Sequence, residues 1–300
     1  MVEKKGPSQK FGGDWTQQKL DILRKYLSAY TTVLSKTPLK FAYIDAFAGT
    51  GYRVPPKAEA PINLDLIDPI DEEGLEFLDG SARLALETDP PFQKLIFIEK
   101  SAAKLDELKR LIRTEFSERE PQVQFKVGDA NAELTKLCSM NWKHHRAILF
   151  LDPFGMQVEW STIESIANTR AIDMWLLFPI GVGVNRMLMR SGNIPPEWRE
   201  RLDKLFGNQD WYDAFYAPTR TPSMFGDEAV EKTATFESIT EYFQNRLRSV
   251  FTQVAPTPAL LKNSKGNPLY ALFFAAGNPK GANTAVKIAN NILLKAIDNG

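Results

Sequence analysis

The sequence predicts an α/β fold: a doubly wound, mostly parallel seven-stranded sheet that ends in an antiparallel hairpin and is interrupted by a helical cap. Three observations predict it. Short apolar runs recur, each ending in an acid: 41–44 before Asp45, 94–98 before Glu99 and 146–151 before Asp152. Strands covered on both faces have this continuous apolar character. Segments of helical periodicity separate the runs, as crossovers between parallel strands require. Finally, Gly49 and Gly51 follow the first run closely, and glycine permits backbone geometry and close approach that a side chain would block.

The elements follow in order. Asp14 can cap a helix, with Gln17 at the capping-box position, and Leu20, Leu23, Leu27, Tyr30 and Leu34 then recur at helical spacing. This helix fills an N-terminal helical segment, 1–38, and is expected to cover one face or edge of the sheet, where it could wall the ligand cleft. After Gly51 a long excursion carries Asp65, Asp68, Asp71, Glu72, Glu73, Glu76 and Asp79. Their spacing fits no EF-hand loop, so 61–79 reads as a solvated acidic loop and no metal site is expected. Gly80-Ser81 opens a helix through Leu84 and Leu86, and a strand over 94–99 follows. Ser101 can cap a helix over 102–116 whose Leu105, Leu108, Leu111 and Ile112 face the sheet. A strand over 123–127, a helix over 132–140, a strand over 146–151, a helix over 160–167 and a strand over 172–178 continue the alternation.

Residues 180–245 break that rhythm, being helix-rich and aromatic, with Arg186, Arg190, Arg199, Arg201 and Arg220. They read as a helical cap inserted in a core formed by 39–179 and 246–300, and the arginines are expected to contact an acceptor through phosphate pairing and base stacking. Segment 250–261, a turn around 263–267 and the apolar 269–276 read as the terminal hairpin. A helix over 282–296 closes the chain.

Composition bounds the function. A chain of 300 residues with 43% hydrophobic and 25% charged content is a globular one, and 37 basic against 37 acidic residues give no overall field for nucleic acid or membrane. The lone Cys138 excludes an internal disulfide and sits beside Leu134 and Leu137, which suits packing in a reducing compartment. Residues 1–10 are charged and 174–184 is too short to span a bilayer, so a cytoplasmic protein without a membrane segment is expected.

The turn at 45–51 does not fit a dinucleotide fingerprint, because Val54 stands at the third small position and Pro55-Pro56 follows it. It resembles the first motif of class I S-adenosylmethionine-dependent methyltransferases, which have a Rossmann-like core. The resemblance implies S-adenosylmethionine as cofactor, held at the carboxyl ends of the strands. Gly49 and Gly51, with Phe47 in the same turn, would face the methionine portion, and Asp45 would lie near the cationic end. Glu99 would accept the ribose hydroxyls, while Asp129 and Ala130 would meet the adenine. Asp152-Pro153-Phe154-Gly155 resembles the Asp/Asn-Pro-Pro-aromatic motif of amino-methyltransferases and, as it stands, that of tRNA guanine N2-dimethyltransferases. Asp152 and the Pro153 carbonyl would then orient the target amine and Phe154 would stack on a planar substrate. The third and fourth places of the amino-methyltransferase pattern are not kept.

Over nearly its whole length the chain looks like the three-Cys-motif partner protein family. The residues that carry this are Lys19-Leu20-Asp21-Ile22-Leu23-Arg24-Lys25-Tyr26-Leu27, the run 43–51, Gly80-Ser81, Phe97-Ile98-Glu99, Asp152-Pro153-Phe154-Gly155 and Asn267-Pro268-Leu269-Tyr270. This resemblance implies a radical-S-adenosylmethionine-like three-cysteine protein as partner. It leaves RNA, DNA, protein and small-molecule acceptors open, and it leaves open a non-catalytic scaffold that retains the fold and the ligand.

Overall fold

The computed structural model describes residues 14–49, 80–219 and 230–298. Helix α1 (Asp14–Leu34) leads to β1 (Lys40–Asp45), α2 (Ser81–Glu87), β2 (Lys94–Glu99), α3 (Ala102–Glu115), β3 (Val123–Val127), α4 (Ala130–Cys138), β4 (His145–Leu151), α5 (Trp160–Asn168) and β5 (Ile172–Phe178). A π-helical turn (Ile180–Val184), α6 (Asn185–Met187), α7 (Pro196–Phe206), α8 (Trp211–Phe215), the paired strands β6 (Tyr216–Pro218) and β7 (Val230–Lys232), and α9 (Phe236–Val250) follow. The last elements are β8 (Gln253–Val254), β9 (Ala259–Lys262), β10 (Pro268–Ala276) and α10 (Ala282–Asp298).

The strands lie in the order β3-β2-β1-β4-β5-β10, with β8 and β9 both along the outer side of β10. Every pair from β3 to β5 is parallel, and β10 runs antiparallel to β5. This is the class I methyltransferase, Rossmann-like arrangement, with its antiparallel strands gathered at one edge. Winding reverses between β1 and β4, so the chain leaves their carboxyl ends in opposite directions and opens a crevice there. Asp45 is level with Phe97 of β2 and Phe150 of β4.

Alternate residues of each central strand enter two cores. Ile44, Ile98, Leu149, Leu151, Met174 and Phe178 meet α4, α5 and the helices after β5 on one face. Tyr43, Phe97, Ile148, Phe150, Trp175 and Phe274 meet α1, α2, α3 and α10 on the other. The segment 180–245 contributes directly to the first core: Leu202, Leu205, Phe206, Trp211, Phe215 and Phe243 are all buried in it. Phe243 of α9 stacks on Phe178 at 4.1 Å between ring centres, so α9 is the crossover helix between β5 and the final strands. The aromatic content of 180–245 thus goes into covering the sheet.

Most bounds lie within two residues of expectation, and two differences have a plain physical cause. Helix α4 begins at Ala130, two residues before the expected 132, because the Asp129 carboxylate accepts the Ala132 N–H at 3.1 Å and starts the helix there. The expected strand over 250–261 is split: α9 runs to Val250, and Pro256 and Pro258, lacking N–H donors, separate β8 from β9. The hairpin turn stands where expected, closed by Asn263 N–H to the Asn267 carbonyl at 3.0 Å.

Candidate functional site

The apolar pull of β1 carries its terminal carboxylate inside. Asp45 is fully buried and both its oxygens are engaged. Oδ1 accepts the Phe47 N–H at 3.1 Å; Oδ2 accepts the Tyr43 hydroxyl at 3.2 Å and the Ser81 hydroxyl at 2.5 Å. Burial raises its pKa to about 6, a rise offset by the Ser81 and Phe47 donors and reinforced by the nearby charge of Asp152. Asp45 therefore shapes the turn after β1 and ties it to the start of α2. Phe47 is half-buried and packs against the first core.

Gly49 takes φ +60°, the left-handed region, and a β-carbon there would meet nothing within 4 Å. Among the described residues, none crowds the turn at that position. Its N–H donates to Glu99 Oε2 at 3.1 Å, and the Ser101 N–H donates to Oε1 at 2.9 Å. A carboxylate has about four accepting positions, so each Glu99 oxygen keeps one after these bonds. Gly51 lies outside the described residues, as do the acidic loop and Arg220.

Asp129 is exposed at the end of β3; one oxygen caps α4, and Ala130 is the first residue of that helix, whose opening amides the helix itself leaves unbonded. At the end of β4, Pro153 is buried and Phe154 stands 71% exposed, with Lys104 Nζ 5.6 Å from its ring centre. Asp152 is 24% exposed and accepts from Lys19 Nζ at 2.5 Å. The crevice ends of β1, β2 and β4 thus carry Asp45, Glu99 and Asp152 together, with Asp129 one strand further out.

Lys19 stands in the run that carries the family resemblance but was given no place at the site, where it pairs with Asp152. It shares a helix stripe with Leu23, Tyr26 and Tyr30, at i, i+4, i+7 and i+11, and a lysine in an otherwise apolar stripe is the signal that could have found it. Tyr43 and Ser81 likewise gain a part not foreseen for them, as hydroxyl donors to Asp45.

The arginines divide. Arg199 lies 4.6 Å from the Tyr212 ring centre and 5.8 Å from that of Trp211, covering the aromatic layer. Arg186 and Arg190 are exposed just after β5. A cavity of about 420 Å³ opens at the opposite, amino-terminal ends of β4 and β5, lined by Cys138, Trp142, Arg146 and Arg170 among others. Burial pushes the Cys138 thiol up to about 12, which leaves it unreactive. Among the described residues no cluster of His, Cys, Asp and Glu could hold a metal ion, and no helix is long and apolar enough to cross a membrane.

No protein-family model matches the chain, and no curated protein matches it. Solved structures do. Protein LPL1258 from Legionella pneumophila, of family DUF519, is 12% identical, covers 93% of this chain and 92% of its own, and has a TM-score of 0.49. Human methyltransferase-like protein 13, in complex with SAH, is 10% identical over 94% of this chain and 92% of its own, at a TM-score of 0.40. Spermidine synthase from Thermotoga maritima is 10% identical over 89% of this chain and 61% of its own, at 0.41.

Proposed function

We infer that this chain is an S-adenosylmethionine-dependent methyltransferase acting on an amine nitrogen, with a nucleic-acid base as its acceptor class. The observation that carries the reading is Glu99: its carboxylate fastens the Gly49 turn and still keeps an accepting position on each oxygen for a pair of ribose hydroxyls. Asp129 keeps one oxygen for an adenine amine beside the Ala130 amide. S-adenosylmethionine, when bound, supplies a methyl group activated by its sulfonium.

The remaining chemistry belongs to the chain. The free Oδ1 of Asp152 and the Pro153 carbonyl are the acceptors for two N–H groups of the target, which fixes the direction of its lone pair. Phe154, exposed and next to the buried Pro153, offers a face for a planar base. Arg186, Arg190 and Arg201 are exposed arginines of 180–245 that this reading assigns to phosphate.

Titration calorimetry with S-adenosylmethionine and S-adenosylhomocysteine tests the reading. Glu99→Ala should weaken binding by about 1.5–3 kcal/mol, the scale of a hydrogen bond to a charged group. A folded sample that takes up neither ligand would refute it.

The Lys19–Asp152 pair also favours a second reading, in which the site binds its ligand without transferring a methyl group and the chain serves as partner to a radical-S-adenosylmethionine-like three-cysteine protein. Copurification of such a protein, with no methyl transfer to any copurified nucleic acid, would select it.

A further inference from the structure

Lys19 belongs to α1, yet its ammonium sits at the carboxyl end of β4, on Asp152 Oδ2. The lysine side chain is 1% exposed. Its surroundings are aromatic: Nζ lies 5.5 Å from the Trp15 ring centre and 6.0 Å from that of Phe150. An ammonium drawn this far from water requires a countercharge. Asp152 supplies one, and so presents to an acceptor a carboxylate whose charge is already answered.

We propose that Lys19 is a specificity-determining residue: by engaging Asp152 it makes the site fit for an uncharged nitrogen of the nucleobase-amine kind and unfit for an alkylammonium. The inference rests on the methyl-transfer reading above. An alkylamine, with a pKa of about 10.4 for the lysine type, arrives as a cation. It would have to shed both its water and a proton next to Lys19, beside an Asp152 carboxylate already engaged by that lysine. A nucleobase amine arrives neutral. It needs two hydrogen-bond acceptors and no countercharge, and Asp152 Oδ1 with the Pro153 carbonyl offers that much.

Two ligands test this without knowledge of the acceptor. S-adenosylhomocysteine places a neutral thioether at the transfer point, whereas sinefungin places a C–NH3+ group there. Calorimetry on the wild-type chain should find the two affinities within about threefold of each other. Lys19→Met should move the preference toward sinefungin by about tenfold or more, since the ammonium then meets an unanswered carboxylate. The double variant Lys19→Met with Asp152→Asn should lose that gain, which separates Asp152 from the neighbouring Asp45.

A wild-type preference for sinefungin of about tenfold or more, or an unchanged ratio in Lys19→Met, overturns the proposal. Should Lys19→Met fail to fold, Asp152→Asn decides: with the Asp152 charge gone from beside Lys19, sinefungin should fall behind S-adenosylhomocysteine by about tenfold, and an unmoved ratio is contrary evidence. A folded wild-type chain that binds neither ligand defeats the methyl-transfer reading instead, so the two failures are distinguishable.

Discussion

The two sides of the crevice are held by different means. At the β1–β2 side, a buried carboxyl, Asp45, is kept in place by uncharged donors, and Glu99 fastens the glycine turn through two backbone amides. At the β4 side, Asp152 is held by an ion pair to a lysine 133 residues earlier in the chain, next to an exposed ring. The first side is a local construction of turns, assembled wherever the strands assemble. The second exists only once α1 has docked.

The largest test of this contrast is to break the ion pair. Asp152→Ala leaves the buried Lys19 without that carboxylate, and removing one member of a buried pair costs on the order of 3–5 kcal/mol. Urea unfolding should show this as a lowered midpoint with an unchanged slope. Asp152→Asn, which keeps an acceptor oxygen, should lose less. Equal stability of wild type and Asp152→Ala would mean that α1 docks independently of the site.

Next in size is pH, which should separate the two sides. Burial raises the Asp45 pKa from 3.8 to about 6, so the folded state binds this proton more tightly than the unfolded chain does. Its contribution to stability is complete below about pH 4 and is lost as pH rises through about 6, with a limiting slope of about 1.4 kcal/mol per pH unit. Asp173, raised by burial from 3.8 to about 7, adds a slope of the same sign that extends higher. Thermal melts between pH 4 and 8 should show stability falling with pH, and Asp45→Asn should flatten the lower part of the curve only. A curve rising over that range would contradict the assignment.

The smallest expected effect is Phe154→Ala. A ring 71% exposed contributes little to folding, so the melt should shift by no more than about 0.5 kcal/mol. Affinity for S-adenosylhomocysteine should stay put while retention of single-stranded nucleic acid weakens, since a stacking platform is worth about 1–3 kcal/mol per base. Loss of ligand affinity instead would move Phe154 to the other side of the crevice.

The same contrast explains what could be read from the sequence. Strands over 94–99, 123–127 and 172–178 appear at those bounds because continuous apolar runs with terminal acids have few alternative placements. The positions of Gly49, Glu99 and Asp129 just at or after strand ends were legible for the same reason, because the direction of each strand was clear. Lys19 was not, because nothing local says which distant strand a helix stripe will meet. The aromatic stretch 180–245 shows the same limit: Phe206, Trp211 and Phe243 pack on one another and on Phe178. Composition identifies rings but does not say what they touch.

The split of the last strands reaches beyond this one molecule. Along the outer side of β10 stand only two residues of β8 and four of β9, parted by Pro256 and Pro258. At the other border of the sheet, β3 carries Lys126, whose charge is met by Glu133 at 3.2 Å. Short, proline-broken and charged borders are those least able to recruit a strand from a neighbouring copy. Both borders of the sheet therefore carry features that disfavour strand exchange between copies of the chain.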